Sequence, residues 1–159
     1  MSGAVYNLAN IFMLAHPYGY PKVMSSYYFS DTDAGPPGRG VHGNGLNCFY
    51  GNDWVCEHRW TEIANMVAWR RSAGGAWTEN WESQGGSRIS FCRNGAACVL
   101  INREGDDWQA SVSVSMPNGQ YCNVQVSDGP DCPKVRVEGG RVSVNVPGMK
   151  AVAFHVGKQ

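Results

Sequence analysis

The sequence predicts an α/β piece at the front of the chain, followed from about residue 76 by an all-β antiparallel sandwich. Three observations carry this expectation. Apolar residues recur at helical spacing up to about residue 71, and short runs of period-2 or β-branched character replace them afterwards. Seven such runs follow one another at close spacing with turn residues between them, the pattern of a sandwich. The front piece holds one helix, one strand, a long loop and a second helix. That set cannot cover both faces of a parallel strand, so it is expected to belong with further strands and helices in an incomplete chain.

In chain order, Val5 to about Leu14 reads as a helix with Val5, Leu8, Ile11 and Phe12 on one side, ended by Pro17 and Gly19. The apolar run from Met1 to Leu14 lacks a basic start and is interrupted by Tyr6, Asn7 and Asn10. It therefore reads as this helix and not as an export signal. No run reaches membrane-spanning length. Lys22 to Tyr28 reads as a strand. Asp31 to Asn47 reads as a loop, and its Gly38-x-Gly40-x-x-Gly43 follows Pro36-Pro37 instead of a strand. The dinucleotide fingerprint needs a strand before it and a helix after it, so the match is set aside.

Asn52 to Arg71 reads as one amphipathic helix, the seam between the two halves. Trp60, Ile63, Ala64 and Val67 would form its apolar face. Asp53 would cap its start, Glu57 and Glu62 lie toward the positive end, and Arg70 and Arg71 lie at the negative end. Gly74-Gly75 supplies the stop. The strands expected beyond it are 87–92, 97–102, 110–116, 121–126, 134–138, 141–146 and 150–156. Ala110-Ser-Val-Ser-Val-Ser-Met116 alternates strictly, so its serines face water. Gly139-Gly140 is a two-residue hairpin turn.

Thirteen basic and thirteen acidic residues leave no net charge among 159, which removes the electrostatic footprint of a nucleic-acid binder. The six cysteines fall in three local pairs, Cys48 with Cys56, Cys92 with Cys98 and Cys122 with Cys132. Six cysteines allow about 15 connectivities, but each near pair brackets a turn, which argues for an oxidising compartment. For the middle pair a three-residue loop, Asn94-Gly95-Ala96, would set Cys92 directly opposite Cys98. Cys48, Cys56 and His58 lack the spacing of a zinc knuckle, so no metal site is expected.

Several stretches resemble one known family. Gly51-Asn-Asp-Trp-Val-Cys-Glu-His-Arg-Trp60 and Asn65-Met-Val-Ala68 are similar to the last barrel helix of animal-type α-amylases, members of glycoside hydrolase family 13. Phe12-Met-Leu-Ala-His-Pro-Tyr-Gly19 and Val23-Met-Ser-Ser26 resemble the surroundings of that family's eighth barrel strand. Gly119-Gln-Tyr-Cys122 and Ala151-Val-Ala-Phe-His-Val156 resemble its C-terminal β domain.

The resemblance runs from about Val5 to the end and covers roughly the last third of such an enzyme. It implies the C-terminal end of a (β/α)8 TIM barrel over residues 1–75 and an antiparallel Greek-key β-sandwich over residues 76–159. It matches the first and third cysteine pairs to family disulfides, with a longer gap between Cys48 and Cys56 than is usual.

The implied parent is a secreted, monomeric retaining hydrolase of internal α-1,4-glucosidic bonds in starch and glycogen, acting with neither nucleic acid nor membrane. Its carboxylates would lie before the point where this chain begins, so no catalytic residue is expected here and the chain alone is expected to be inactive. Asp31 and Asp33 end the expected strand, where barrel active sites sit, but a loop Asp pair is ordinarily a turn former. Lys22 aligns with the arginine that binds an activating chloride in animal enzymes. Lysine is a point charge where arginine is a planar fork, which puts chloride dependence in question. The family's calcium is held by earlier residues, so no ligand carries over.

His16, His58 and His155 are expected to be structural and His42 solvated. Trp60 is expected in the core, and Trp77, Trp81 and Trp108 are expected to be buried near the domain junction. The alternative to the enzyme reading is a stand-alone β-sandwich module that binds glucan or protein.

Overall fold

The computed structural model describes residues 3–42, 48 and 53–159. The chain forms two compact units, one of residues 1–21 with 61–159 and one of residues 22–60.

The larger unit begins with α1 (Gly3–Ala15), extending the expected helix by a residue or two at each end. Its buried face carries Asn7, Leu8, Ile11 and Leu14, the i, i+1, i+4, i+7 positions of one stripe. The second helix, α2 (Thr61–Ala73), is shorter than expected. Cys56 has a positive φ of 58°, a single turn of 3-10 helix spans Glu57–Arg59, and Trp60 returns to extended backbone. These breaks make one continuous helix impossible, so Asp53 does not cap it; Asn52 lies outside the described residues.

The buried face of α2 also differs from the expected one. Ile63, Met66, Trp69 and Ala73 are enclosed, whereas Val67 is 46% exposed. Trp69 accounts for the rotation, since its indole N–H donates to the Cys98 carbonyl at 2.9 Å while the ring is fully buried. Gly74 ends the helix with φ +60°, and its N–H donates to the carbonyls of Arg70 and Arg71.

Eight strands follow: β1 (Thr78–Gln84), β2 (Arg88–Arg93), β3 (Ala97–Asn102), β4 (Trp108–Ser113), β5 (Gly119–Cys122), β6 (Lys134–Glu138), β7 (Arg141–Val146) and β8 (Lys150–His155). They pair into two antiparallel four-stranded sheets, ordered β1-β2-β3-β8 and β4-β7-β6-β5. β1 is the strand absent from the sequence reading. It is an edge strand with a bulge between Glu79 and Glu82, where Asn80 has φ 51°. β5 stops at Cys122, short of the expected Val126. The Asn123 side chain takes over there, its Oδ1 accepting the N–H groups of Gln125 and Ala153.

The core between the sheets is built from Leu100, Val112, Val137, Val142, Val152 and Phe154, with Trp108 and Tyr121 at its ends. β3 is buried at every position because its two faces meet different partners. Cys98 and Leu100 join the inter-sheet core, while β3 and β8 also pack against α1 and α2. The larger unit is therefore layered as helices, sheet and sheet, and the first sheet is covered on both sides.

Arg93 ties these layers. It is 1% exposed, and its guanidinium donates to the carbonyls of Ala15, Gly74 and Ala76 at 3.0, 2.6 and 2.9 Å. Ala15 ends α1 and Gly74 follows α2, so one cation serves the negative ends of both helices. Burial first, and Arg70 second, lower its pKa. Arg70 repeats the device from α2, donating to the carbonyls of Leu14, His16 and Gly19.

Residues 22–60 are organised differently. Residues 22–28 are extended but form no strand: Tyr27 bridges Trp54, the Tyr28 N–H donates to Asp53 O and the Val55 N–H to Ser26 O. A strand needs a longer ladder than these contacts supply.

Candidate functional site

The residues singled out from the sequence for chemistry lie mostly in the 22–60 unit. Its one buried charged residue among those described is Glu57, 4% exposed. Glu57 accepts the Ser26 backbone N–H at 2.9 Å and also the Ser26 hydroxyl. Next to it, the Ser25 hydroxyl oxygen accepts the Cys56 N–H at 2.9 Å and donates to Ser26 O. The Cys48–Cys56 disulfide closes the same turn. These contacts commit Glu57 to holding Ser25-Ser26 against the turn at Cys56, which satisfies a carboxylate otherwise costly to bury.

Lys22 is exposed. Asp31 and Asp33 are exposed too, and Asp31 Oδ1 accepts the Asp33 N–H at 3.0 Å, an Asx turn. The two therefore shape a loop instead of converging on a reacting bond. Trp54 donates its indole N–H to Arg39 O at 2.8 Å and meets Tyr27 edge-on.

His42 is exposed and meets His58 edge to face at 5.6 Å. Burial first, then the His42 and Arg59 charges, lower the His58 pKa, with Glu57 opposing. Among the described residues the His58 Nε2 has no hydrogen-bond partner. Gly43 of the glycine-rich stretch lies outside the described residues. Among the described residues no group of three or more His, Cys, Asp or Glu is arranged to hold a metal.

In the larger unit, His16 stacks on Phe12 and stands edge-on to Trp77 and Phe91. His155 is 3% exposed; its Nδ1 accepts the Gly157 N–H at 3.2 Å and lies 2.9 Å from the Ser72 hydroxyl. The proton of the neutral ring is thereby assigned to Nε2, and the Ser72 hydroxyl donates to Nδ1. The Cys92–Cys98 and Cys122–Cys132 disulfides lie here, and β2 and β3 pair in the register that opposes Cys92 to Cys98.

Trp108 is buried, though in the core between the sheets and not at a domain junction, and Trp77 and Trp81 are 66% and 47% exposed. Trp81 lies flat on Phe91, with ring centroids 5.0 Å apart. Trp60 is half-buried. The sequence reading also passed over Asn7 and Gln125, two buried amides that line one cleft of the larger unit.

The larger unit thus defines a two-sheet antiparallel β domain joined to helices on one face. The family described as alpha amylase, C-terminal all-beta domain, matches residues 77–157, and the chain belongs to it. Among curated relatives, the chain is 40% identical over 154 residues to an alpha-amylase of Streptomyces violaceus, covering 97% of this chain and 26% of that protein. It is 39% identical over 145 residues to an alpha-amylase of Pecten maximus, covering 85% of this chain and 28% of the relative. The solved structure of wild-type alpha-amylase I from Eisenia fetida matches with a TM-score of 0.85 at 33% identity, over 96% of this chain and 35% of that one. The chain therefore spans about a quarter to a third of the length of these relatives.

Proposed function

We propose that this chain is the C-terminal portion of an α-amylase that hydrolyses internal α-1,4-glucosidic bonds of starch and glycogen with retention at the anomeric carbon. Residues 1–75 would complete the catalytic (β/α)8 barrel, with the extended residues 22–28 becoming its last strand only when paired with strands of the longer protein, and residues 76–159 would form the Greek-key sandwich that braces it. One observation carries the reading: the likeness to the Eisenia fetida alpha-amylase extends over 96% of this chain, front segment and sandwich together. A free-standing sandwich module would need only residues 77–157.

In this reading the chain supplies none of the catalytic carboxylates, and its own work is mechanical. Glu57 and the Cys48–Cys56 disulfide hold the turn that follows the last barrel strand. Lys22 would stand where a chloride-binding arginine is expected, placing a fixed positive charge that favours the ionised form of nearby carboxylates without an anion. Calcium would be held by other parts of the longer protein. Three disulfides fit a secreted enzyme, and a monomer needs nothing further.

The test is starch hydrolysis by the natural polypeptide that contains this sequence, with the anomer of the first product read by NMR. Release of α-anomeric products, unchanged when chloride is removed, is expected, along with no turnover by the 159-residue chain. Turnover by the short chain would overturn the reading. An activity that collapses without chloride would overturn the role given to Lys22.

A further inference from the structure

His155 ends β8, and the chain turns straight back over its ring. The Gly157 N–H donates to Nδ1 at 3.2 Å, and the Lys158 N–H donates to His155 O at 3.2 Å. A Cβ built on Gly157 would stand 3.0 Å from both Nδ1 and Cε1, so the turn is packed directly on the imidazole. From α2 the Ser72 hydroxyl also reaches Nδ1, at 2.9 Å.

The same turn joins distant parts of the larger unit. The Val156 N–H donates to Ala96 O, Lys158 O accepts the Cys122 N–H at 3.1 Å, and Lys158 Nζ donates to Asp128 O at 3.1 Å. The β2–β3 hairpin, the end of β5 and the loop closed by the Cys122–Cys132 disulfide therefore meet beside this ring.

Both groups at Nδ1 are donors, so the arrangement needs a lone pair there and a neutral imidazole. A proton on Nδ1 turns that acceptor into a donor. The Ser72 hydroxyl can rotate to accept from it, but the Gly157 N–H can only donate, and its bond is lost. The new charge would also be enclosed, since His155 is 3% exposed. Among the described residues Lys158 is the charge that acts on the ring. α2 presents Ser72 and β3 presents Ala97, while Arg70 and Arg93 are turned to backbone carbonyls. Burial first, then Lys158, hold the ring's pKa below the ordinary 6.5.

We propose that residues 155–158 form an acid-sensitive latch, in which a proton on His155 Nδ1 expels the Gly157 N–H and frees the turn from Cys122 and Asp128. The release stops there, because Val152 and Phe154 stay in the core between the sheets and β8 keeps its ladder with β3. The latch uses only residues of this chain and does not depend on whether the longer protein hydrolyses starch. Above pH 6.5 the ring is neutral whether the turn is closed or open, and the latch is constant. Below 6.5 the open form takes up the proton first, so opening increases by about tenfold per pH unit until the closed ring titrates as well.

The experiment is amide hydrogen exchange of the natural polypeptide that contains this sequence, from pH 5 to 8, with each rate corrected for its intrinsic pH dependence. Protection at Cys122 and Gly157 should be constant above pH 6.5 and fall by about tenfold per unit below it, while Val99 and Val152 keep theirs. His155→Asn retains an acceptor near the Nδ1 position but does not titrate, so its protection should stay flat. Lys158→Met removes the like charge and brings the closed ring nearer to 6.5. Its fall should be shallower than the parent's, which tests the latch even if His155→Asn fails to fold. Flat protection at Cys122 in the parent, an equal loss at Val99, or the parent's full pH dependence in either folded variant would overturn the proposal.

Discussion

The two units of this chain are stabilised in different ways. The larger one encloses Leu100, Val112, Val152 and Phe154 between two sheets and Ile11, Ile63, Met66 and Trp69 on its helices. In the 22–60 unit, the only described residues below a tenth exposure are Cys48, Cys56 and Glu57. A disulfide, a hydrogen-bonded carboxylate and two isolated bridges do there what a hydrophobic core does in the larger unit. The larger unit should therefore respond to mutation cooperatively, and the smaller one locally.

Replacing Arg93 should have the largest effect. Arg93→Met leaves the carbonyls of Ala15, Gly74 and Ala76 without their donor, a loss of about 3 kcal/mol in the larger unit. Chemical denaturation would read this as a lower midpoint for the fluorescence of buried Trp69. An unchanged midpoint would mean that the helices and sheet do not depend on this cation.

Removing the Cys48–Cys56 bridge sharpens the contrast from the other side. By loop entropy the pair contributes roughly 2–3 kcal/mol, all of it expected within residues 22–60. In Cys48→Ser/Cys56→Ser, amide exchange at Tyr28 and Val55 should accelerate while Val99 and Val152 keep their protection. Equal acceleration at Val99 would show that the two units unfold together.

The smallest expected effect is that of pH on the larger unit. Burial, and then Lys158, lower the His155 pKa from the ordinary 6.5. Above 6.5 the ring is neutral in both folded and unfolded chains and contributes no slope. As the pH falls below 6.5 the unfolded chain takes up the proton first, so stability declines until the folded ring also titrates. His155→Gln should flatten that part of the stability curve, measured as midpoint against pH. A variant with the parent's slope would assign the proton elsewhere.

Legibility from sequence followed the locality of the interactions. The Gly139-Gly140 turn and the opposition of Cys92 to Cys98 were readable because a few adjacent residues determine them, and Glu138 pairs with Arg141 across that turn. β1 was not readable: Thr78-Glu-Asn-Trp-Glu-Ser-Gln84 is polar, bulged and at an edge, so it alternates for no core. Its Glu79 and Glu82 make long-range bonds to Ser115 and the Ser113 N–H, which no spacing reveals.

The α2 helix was found, but with the wrong face, because Trp69 is positioned by a carbonyl 29 residues away. Lys22–Tyr28 has strand composition but lacks a neighbouring ladder among the described residues. Two buried amides were invisible for a similar reason: Asn7 reads as an interruption in a helix, Gln125 as part of a strand, and only folding brings them to one cleft.

The central claim is that these 159 residues are the closing part of a larger α-amylase. Its most direct test is the intact mass of the natural protein that carries them, measured from its source by mass spectrometry. The account predicts a mass several tens of kilodaltons above the 17.3 kDa of this chain. A natural protein of 17.3 kDa would contradict it.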